Sequence, residues 1–182
     1  YHLELMINTA ILINKELVWR KLSPAEFLIP ISSKDNYNYM SNMLNFYYNK
    51  IKKIKLIIGH SHEAICSANM VIAVSGTATL EAALYKKPMI IVYKTSLLSY
   101  LLLKNMLLIP YIGLPNILLN RFIVPEFLQN KATPESISNK AVEILTDKKL
   151  QNYLNTKFKD LHIKLKRNGS ELIYRKIIKY LK

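Results

Sequence analysis

The feature that most constrains this chain is an alternation of short, fully apolar runs with helical stretches. It is clearest in Met70 to Tyr93, MVIAVSGTATLEAALYKKPMIIVY. Val71–Val74 and Met89–Tyr93 are unbroken apolar runs, too continuous for a strand with one wet face. The stretch from Thr77 to Tyr85 between them reads as a helix. Strands buried on both faces and joined by helices imply a parallel, doubly wound sheet, the α/β class. The same alternation starts upstream. Residues 1–19 repeat Leu3, Ile7, Ala10, Ile11, Leu17 and Val18 at helical spacing. A strand over 25–31, a helix over 34–50, a strand over 55–58 and a short helix over 63–68 follow. Three helices, 134–146, 148–166 and 170–182, close the chain, the last set off by Asn168-Gly169. The organisation is a single domain over 1–182, with 131–182 a basic helical tail.

Right-handed crossovers place every strand-to-helix turn on one edge of such a sheet, where ligands bind. Glycines mark that edge. The chain has only 4, and Gly59, Gly76 and Gly113 each follow an apolar segment. Glycine is used where the backbone needs positive φ or something must come close. Ser75-Gly76-Thr77 hands over to a helix whose first amides have no internal partner. Those amides, the helix dipole and two hydroxyls make a seat for phosphate. An ordinary N-cap by Ser75 or Thr77 is the competing reading. The spacing is neither a P-loop nor GxGxxG. Glu81, one turn deeper, suits a ribose diol, which donates two hydrogen bonds to a carboxylate; a solvated helix glutamate is the alternative. Together they suggest a nucleoside diphosphate.

The formal charge is +14. From Lys131 to Lys182 there are 13 Lys and Arg against 5 Asp and Glu, a net +8. An anionic partner, such as a phosphate-bearing ligand or an acidic membrane surface, is one reading. Coding bias toward lysine, isoleucine, asparagine and tyrosine is the other. No recognised motif for RNA or DNA accompanies the charge, so nucleic acid is not an expected partner. The apolar stretch 96–108 is interrupted by Lys104 and followed by Pro110, so it is too short for a span. It reads as a buried helix, or one lying on an interface. GHSHEAIC places His60 and His62 near Cys66, an incomplete zinc set, so no metal site is assigned. One cysteine cannot close an internal disulfide, which suits a reducing cytoplasm. No secretory leader is visible. Tyr1, already inside an amphipathic pattern, points to a piece of a longer polypeptide.

The run SGTATLEAALYKKPMIIVYKTS, followed by YIGLPNILLNRFIVPEFLQ, closely resembles the lipid-A-disaccharide synthases. These are GT-B glycosyltransferases with two Rossmann-like domains facing across a cleft. The resemblance extends from about Leu3 to the C-terminus and is strongest between Asn69 and Gln129. It implies transfer of 2,3-diacylglucosamine from its UDP form to 2,3-diacylglucosamine 1-phosphate. The products are the β-1,6-linked lipid A disaccharide 1-phosphate and UDP. It implies no cofactor and no metal, the UDP-sugar being a substrate. By motif match, Ser75, Gly76 and Thr77 hold the diphosphate and Glu81 the ribose. Asn116, Glu126 and Gln129 line the donor side, and Gly59 borders the uracil. It also implies a cytoplasmic protein, peripheral on the inner membrane of a Gram-negative bacterium, with self-association a further possible contact. The family's acceptor domain and its glycine-serine-arginine turn belong before Tyr1, and Asn69 stands where the family often has aspartate. No catalytic residue is assigned, because the expected base belongs to the acceptor half. Two rival readings stand beside this one. The first is an inactive remnant that binds nucleotide or a partner; the second is a basic module for membrane surfaces or nucleic acid.

Overall fold

The computed structural model describes residues 2–47, 53–96 and 110–166. Helix α1 (His2–Trp19) leads to strand β1 (Phe27–Ile31), α2 (Lys34–Tyr47) and β2 (Ile54–Ile58). Then come α3 (Ser61–Ser67), β3 (Val71–Val74), α4 (Thr77–Leu84) and β4 (Met89–Tyr93). After 97–109, α5 (Leu114–Leu119), β5 (Glu126–Leu128), a 3₁₀ turn (Gln129–Lys131), α6 (Pro134–Thr146) and α7 (Lys148–Leu165) follow. The sequence reading did not anticipate α5 or β5. The expected helix over 96–108, beyond Ser96, and the helix over 170–182 lie outside the described residues.

Every strand pairing is parallel, as the continuous apolar runs require. Hydrogen bonding divides the strands into two sets, β1-β2 and β3-β4-β5. Pro30 helps explain the boundary. Phe27 donates to Lys53 O and Gly59 donates to Ile31 O, so alternate residues 27, 29 and 31 face β2. The nitrogen of Pro30 therefore lies on the other edge of β1, where it has no hydrogen to donate.

The two sets share a core. β4 is its centre, with Met89, Ile90, Ile91 and Val92 all fully buried. Helix α1 covers both sets. Its Leu5, Ile13 and Leu17 join Ile90 and Val92 with α6 residues Ile137, Ala141 and Val142. Its Ile7 and Ala10 meet Phe27, Leu44 and Ile54. On the opposite side α4 and α7 pack together through Ala82, Ala83, Leu154, Phe158 and Leu161 against Met89 and Ile91. Helices on both faces make the architecture doubly wound.

Local polar contacts fix the ends of these elements. Asn14 accepts from the amide of Ala25 at 2.7 Å and donates to its carbonyl at 3.2 Å. That holds Ala25 out of β1, which starts at Phe27 rather than at 25. Thr133 and Asp147 cap α6 and α7 by accepting from backbone amides of the first turn.

Candidate functional site

The strand-to-helix turns at Gly59 and Gly76 lie at the carboxyl ends of β2 and β3, as anticipated from sequence. Gly59 ends β2 at φ 70, and His60 follows at φ 54 before α3 begins. Gly76 separates β3 from α4 at φ 156, a conformation that L side chains rarely adopt. A Cβ built on Gly76 meets nothing within 4 Å. The requirement for glycine at this turn is therefore conformational, with open space in front of it. No side-chain hydrogen bond caps α4. The N-cap role weighed for Ser75 and Thr77 is thus filled by neither. The amides of Gly76, Thr77 and Ala78 have no hydrogen-bond partner among the described residues. Thr77 is exposed. Thr79, fully buried, turns its hydroxyl back to Gly76 O at 2.7 Å and fixes the turn from beneath.

Glu81 is half-buried one turn down α4. Its Oε2 lies 3.7 Å from His62 Nδ1, so the first turn of α3, within GHSHEAIC, borders Glu81. His60 lies 3.2 Å from Glu63, whose carboxyl is held below the usual range by its own backbone amide and by that imidazole. Cys66 is exposed. Among the described residues, no three His, Cys, Asp or Glu side chains are grouped to hold a metal ion.

The second block, GLPN through PEFLQ, forms a hydrogen-bonded frame. Asn116 is fully buried. Its Oδ1 accepts from the amides of Ile123 at 2.8 Å and Val124 at 2.9 Å. Its Nδ2 donates to Val124 O at 2.8 Å and to Glu126 Oε1 at 2.7 Å. Glu126 also accepts from the amides of Ile112 at 2.9 Å and Gly113 at 3.0 Å. Gln129 brackets Thr95, accepting from its amide at 2.9 Å and donating to its carbonyl at 3.1 Å. Ser75 Oγ donates to Ile112 O at 2.7 Å, joining this frame to the Gly76 turn. Gly113 has ordinary φ, but a Cβ there would run into Ile91 Cδ1. This glycine permits close approach. A contact missed in the sequence is that of His2, whose Nε2 accepts from the amide of Lys94 at 3.0 Å. Burial, reinforced by nearby positive charge including Lys94, pushes that imidazole below its ordinary pKa.

The structure thus brings Ser75, Gly76, Asn116 and Glu126 into one connected edge. Gln129 and Glu81 flank it through Thr95 and through α4. Gly59 reaches it through α3, which packs on α4.

The family model for lipid-A-disaccharide synthetase matches residues 1–177. The chain belongs to that family. It is 38% identical to a lipid-A-disaccharide synthase of Methylobacillus flagellatus over 98% of this chain and 46% of that protein. A synthase of Dechloromonas aromatica is 36% identical over 98% of the chain and 47% of its own length. One from Cupriavidus pinatubonensis reaches 45% identity over 66% of the chain. The chain therefore spans about half the length of the curated relatives it matches. The parallel strands with helices on both faces are consistent with one Rossmann-like half of a GT-B fold. No helix among the described residues is long and apolar enough to cross a membrane.

Proposed function

We propose that this chain is the donor-binding part of a metal-independent, UDP-dependent lipid glycosyltransferase. In the assembled enzyme, 2,3-diacylglucosamine passes from its UDP form to 2,3-diacylglucosamine 1-phosphate. The β-1,6 disaccharide 1-phosphate and UDP are released. The carrying observation is the Gly76 turn: a glycine at φ 156 with open space before it, opening a helix that no side chain caps. The Gly76 and Thr77 amides, with the Thr77 hydroxyl, seat the diphosphate and stabilise its negative charge as it departs. Glu81 accepts from the ribose diol. Gly59 borders the base, Asn116 and Glu126 bound the donor side by holding the 112–116 segment in place, and Gln129 bounds it by holding Thr95. Transfer itself needs an acceptor half, which the matched length of the relatives supports.

The acylated substrates and the net +8 of residues 131–182 favour a cytoplasmic protein resting on an acidic inner-membrane leaflet. Binding to vesicles should then require anionic lipid and weaken with salt.

Titration of UDP into the chain tests the site. Thr77→Ala and Glu81→Ala should each weaken binding about fivefold, the equivalent of one hydrogen bond of about 1 kcal/mol. Unchanged affinity in both variants would remove the assignment.

A further inference from the structure

We infer, on the donor-site reading above, that Ser75 is a positioning residue and not a phosphate ligand. Its hydroxyl latches the 112–116 segment to the Gly76 turn, and Glu126 anchors that segment from the other side. A serine hydroxyl carries one hydrogen. Ser75 gives it to Ile112 O at 2.7 Å. An ionised diphosphate offers acceptors only, so this hydroxyl has no hydrogen left for it. The donors that remain at the turn are the Thr77 hydroxyl and the amides of Gly76, Thr77 and Ala78.

Ile112 is gripped on both sides. Its carbonyl takes the Ser75 hydrogen, while its amide donates to Glu126 Oε2 at 2.9 Å. The next amide, of Gly113, donates to Glu126 Oε1 at 3.0 Å, and Asn116 Nδ2 to the same oxygen at 2.7 Å. Only a carboxylate can accept all three; an amide at 126 would turn its own N–H groups toward at least one donor. The end of β3 is thereby tied to the start of β5 across β4, whose Ile91 lies directly under Gly113. The aim of the Gly76 amides is set by a residue 37 positions further along the chain.

Amide hydrogen exchange and UDP titration on the full chain test this together. Ser75→Ala should speed exchange at Ile112 and Gly113 at least tenfold without ligand and weaken UDP binding several-fold. Ser75→Thr, which keeps the hydroxyl, should restore slow exchange. Adding Ser75→Ala to Glu126→Gln should cost less than twofold further affinity, since both release one latch. Adding Ser75→Ala to Thr77→Ala should multiply the two losses. Unchanged exchange in Ser75→Ala, with losses that multiply in the Glu126→Gln background, overturns the latch and makes Ser75 a direct ligand. If the unsubstituted chain binds no UDP, the donor reading falls, and the positioning role with it. Unchanged exchange with UDP binding intact sinks the latch alone.

Discussion

Replacing Asn116 by alanine should be among the most damaging single changes to this fold. The side chain is 0% exposed and makes four hydrogen bonds of 2.7–2.9 Å. Truncation strands the amides of Ile123 and Val124, both buried, which have no other partner among the described residues. A buried donor left unpaired costs about 1–3 kcal/mol, so two give about 2–6 kcal/mol. Loss of the donor to Glu126 adds to this, while water entering the vacated space offsets part of it. The expected destabilisation is about 3–5 kcal/mol, or a Tm lower by about 6–20 °C for a chain of this size.

Urea unfolding followed by circular dichroism measures it. Asn116→Asp supplies the control for shape, because the oxygen facing the two amides is kept. It instead sets a second carboxylate where an NH₂ now donates to Glu126 at 2.7 Å. Like charges at that distance disfavour joint ionisation. The aspartate variant should therefore be severely destabilised at pH 7 and partly recover near pH 5, where one carboxyl takes a proton and donates. The alanine variant should show no such recovery relative to the unsubstituted chain. An alanine cost below about 1 kcal/mol with an unchanged m-value would refute the reasoning. The 112–126 segment would then be held by its apolar contacts alone.

Two glycines on the same edge should fail for different reasons. Gly113→Ala forces a methyl onto the fully buried Ile91 and should cost about 1–3 kcal/mol by overpacking; Ile91→Val should relieve it in a double-mutant cycle. Gly76→Ala meets no atom, so its cost of about 1–3 kcal/mol is backbone strain that no neighbouring truncation relieves. His2 gives a pH dependence. Its pKa is lowered in the folded chain from an ordinary 6.5, so the unfolded chain takes up the proton first. Its contribution is complete above about pH 6.5 and is lost as pH falls through the lowered value. His2→Gln, which still accepts from Lys94, should flatten the unfolding midpoint across that interval; an unchanged slope would exclude His2 as its source.

The β3-α4-β4 unit was legible because every local signal agreed. Apolar runs on both sides of the Gly76 turn leave one consistent reading, and the observed bounds match to within a residue. Helix α3 starts at Ser61 rather than 63 because His60 adopts a left-handed conformation and opens the helix early. The region 114–128 was legible as a motif but not as structure. A six-residue helix and a three-residue strand are too short to show a period. One signal was present: Asn116 is a lone polar residue in LPNILL, and a polar side chain inside an apolar run must find buried partners. The division of the strands was also hidden, since Pro30 reads as an edge marker only once its partner strand is known.

Membership in a motif and contact with a ligand are separate properties, and hydrogen-bond capacity tells them apart. Glu81 and Glu126 are both motif glutamates, yet their situations differ. Glu126 accepts three short hydrogen bonds from its own chain, so a ligand hydroxyl would have to displace one of them. Among the described residues Glu81 has one ion-pair contact, to the exposed His62 at 3.7 Å, which leaves its oxygens able to take both hydrogens of a diol. The hydroxyls divide the same way. Ser75 has given its one hydrogen to Ile112, whereas Thr77 is exposed at the open start of α4. Residues whose capacity is used within the fold build the edge, and on the proposed donor reading residues whose capacity remains open are the ones that meet the ligand. A sequence motif records both kinds together, because loss of either would disable the same site.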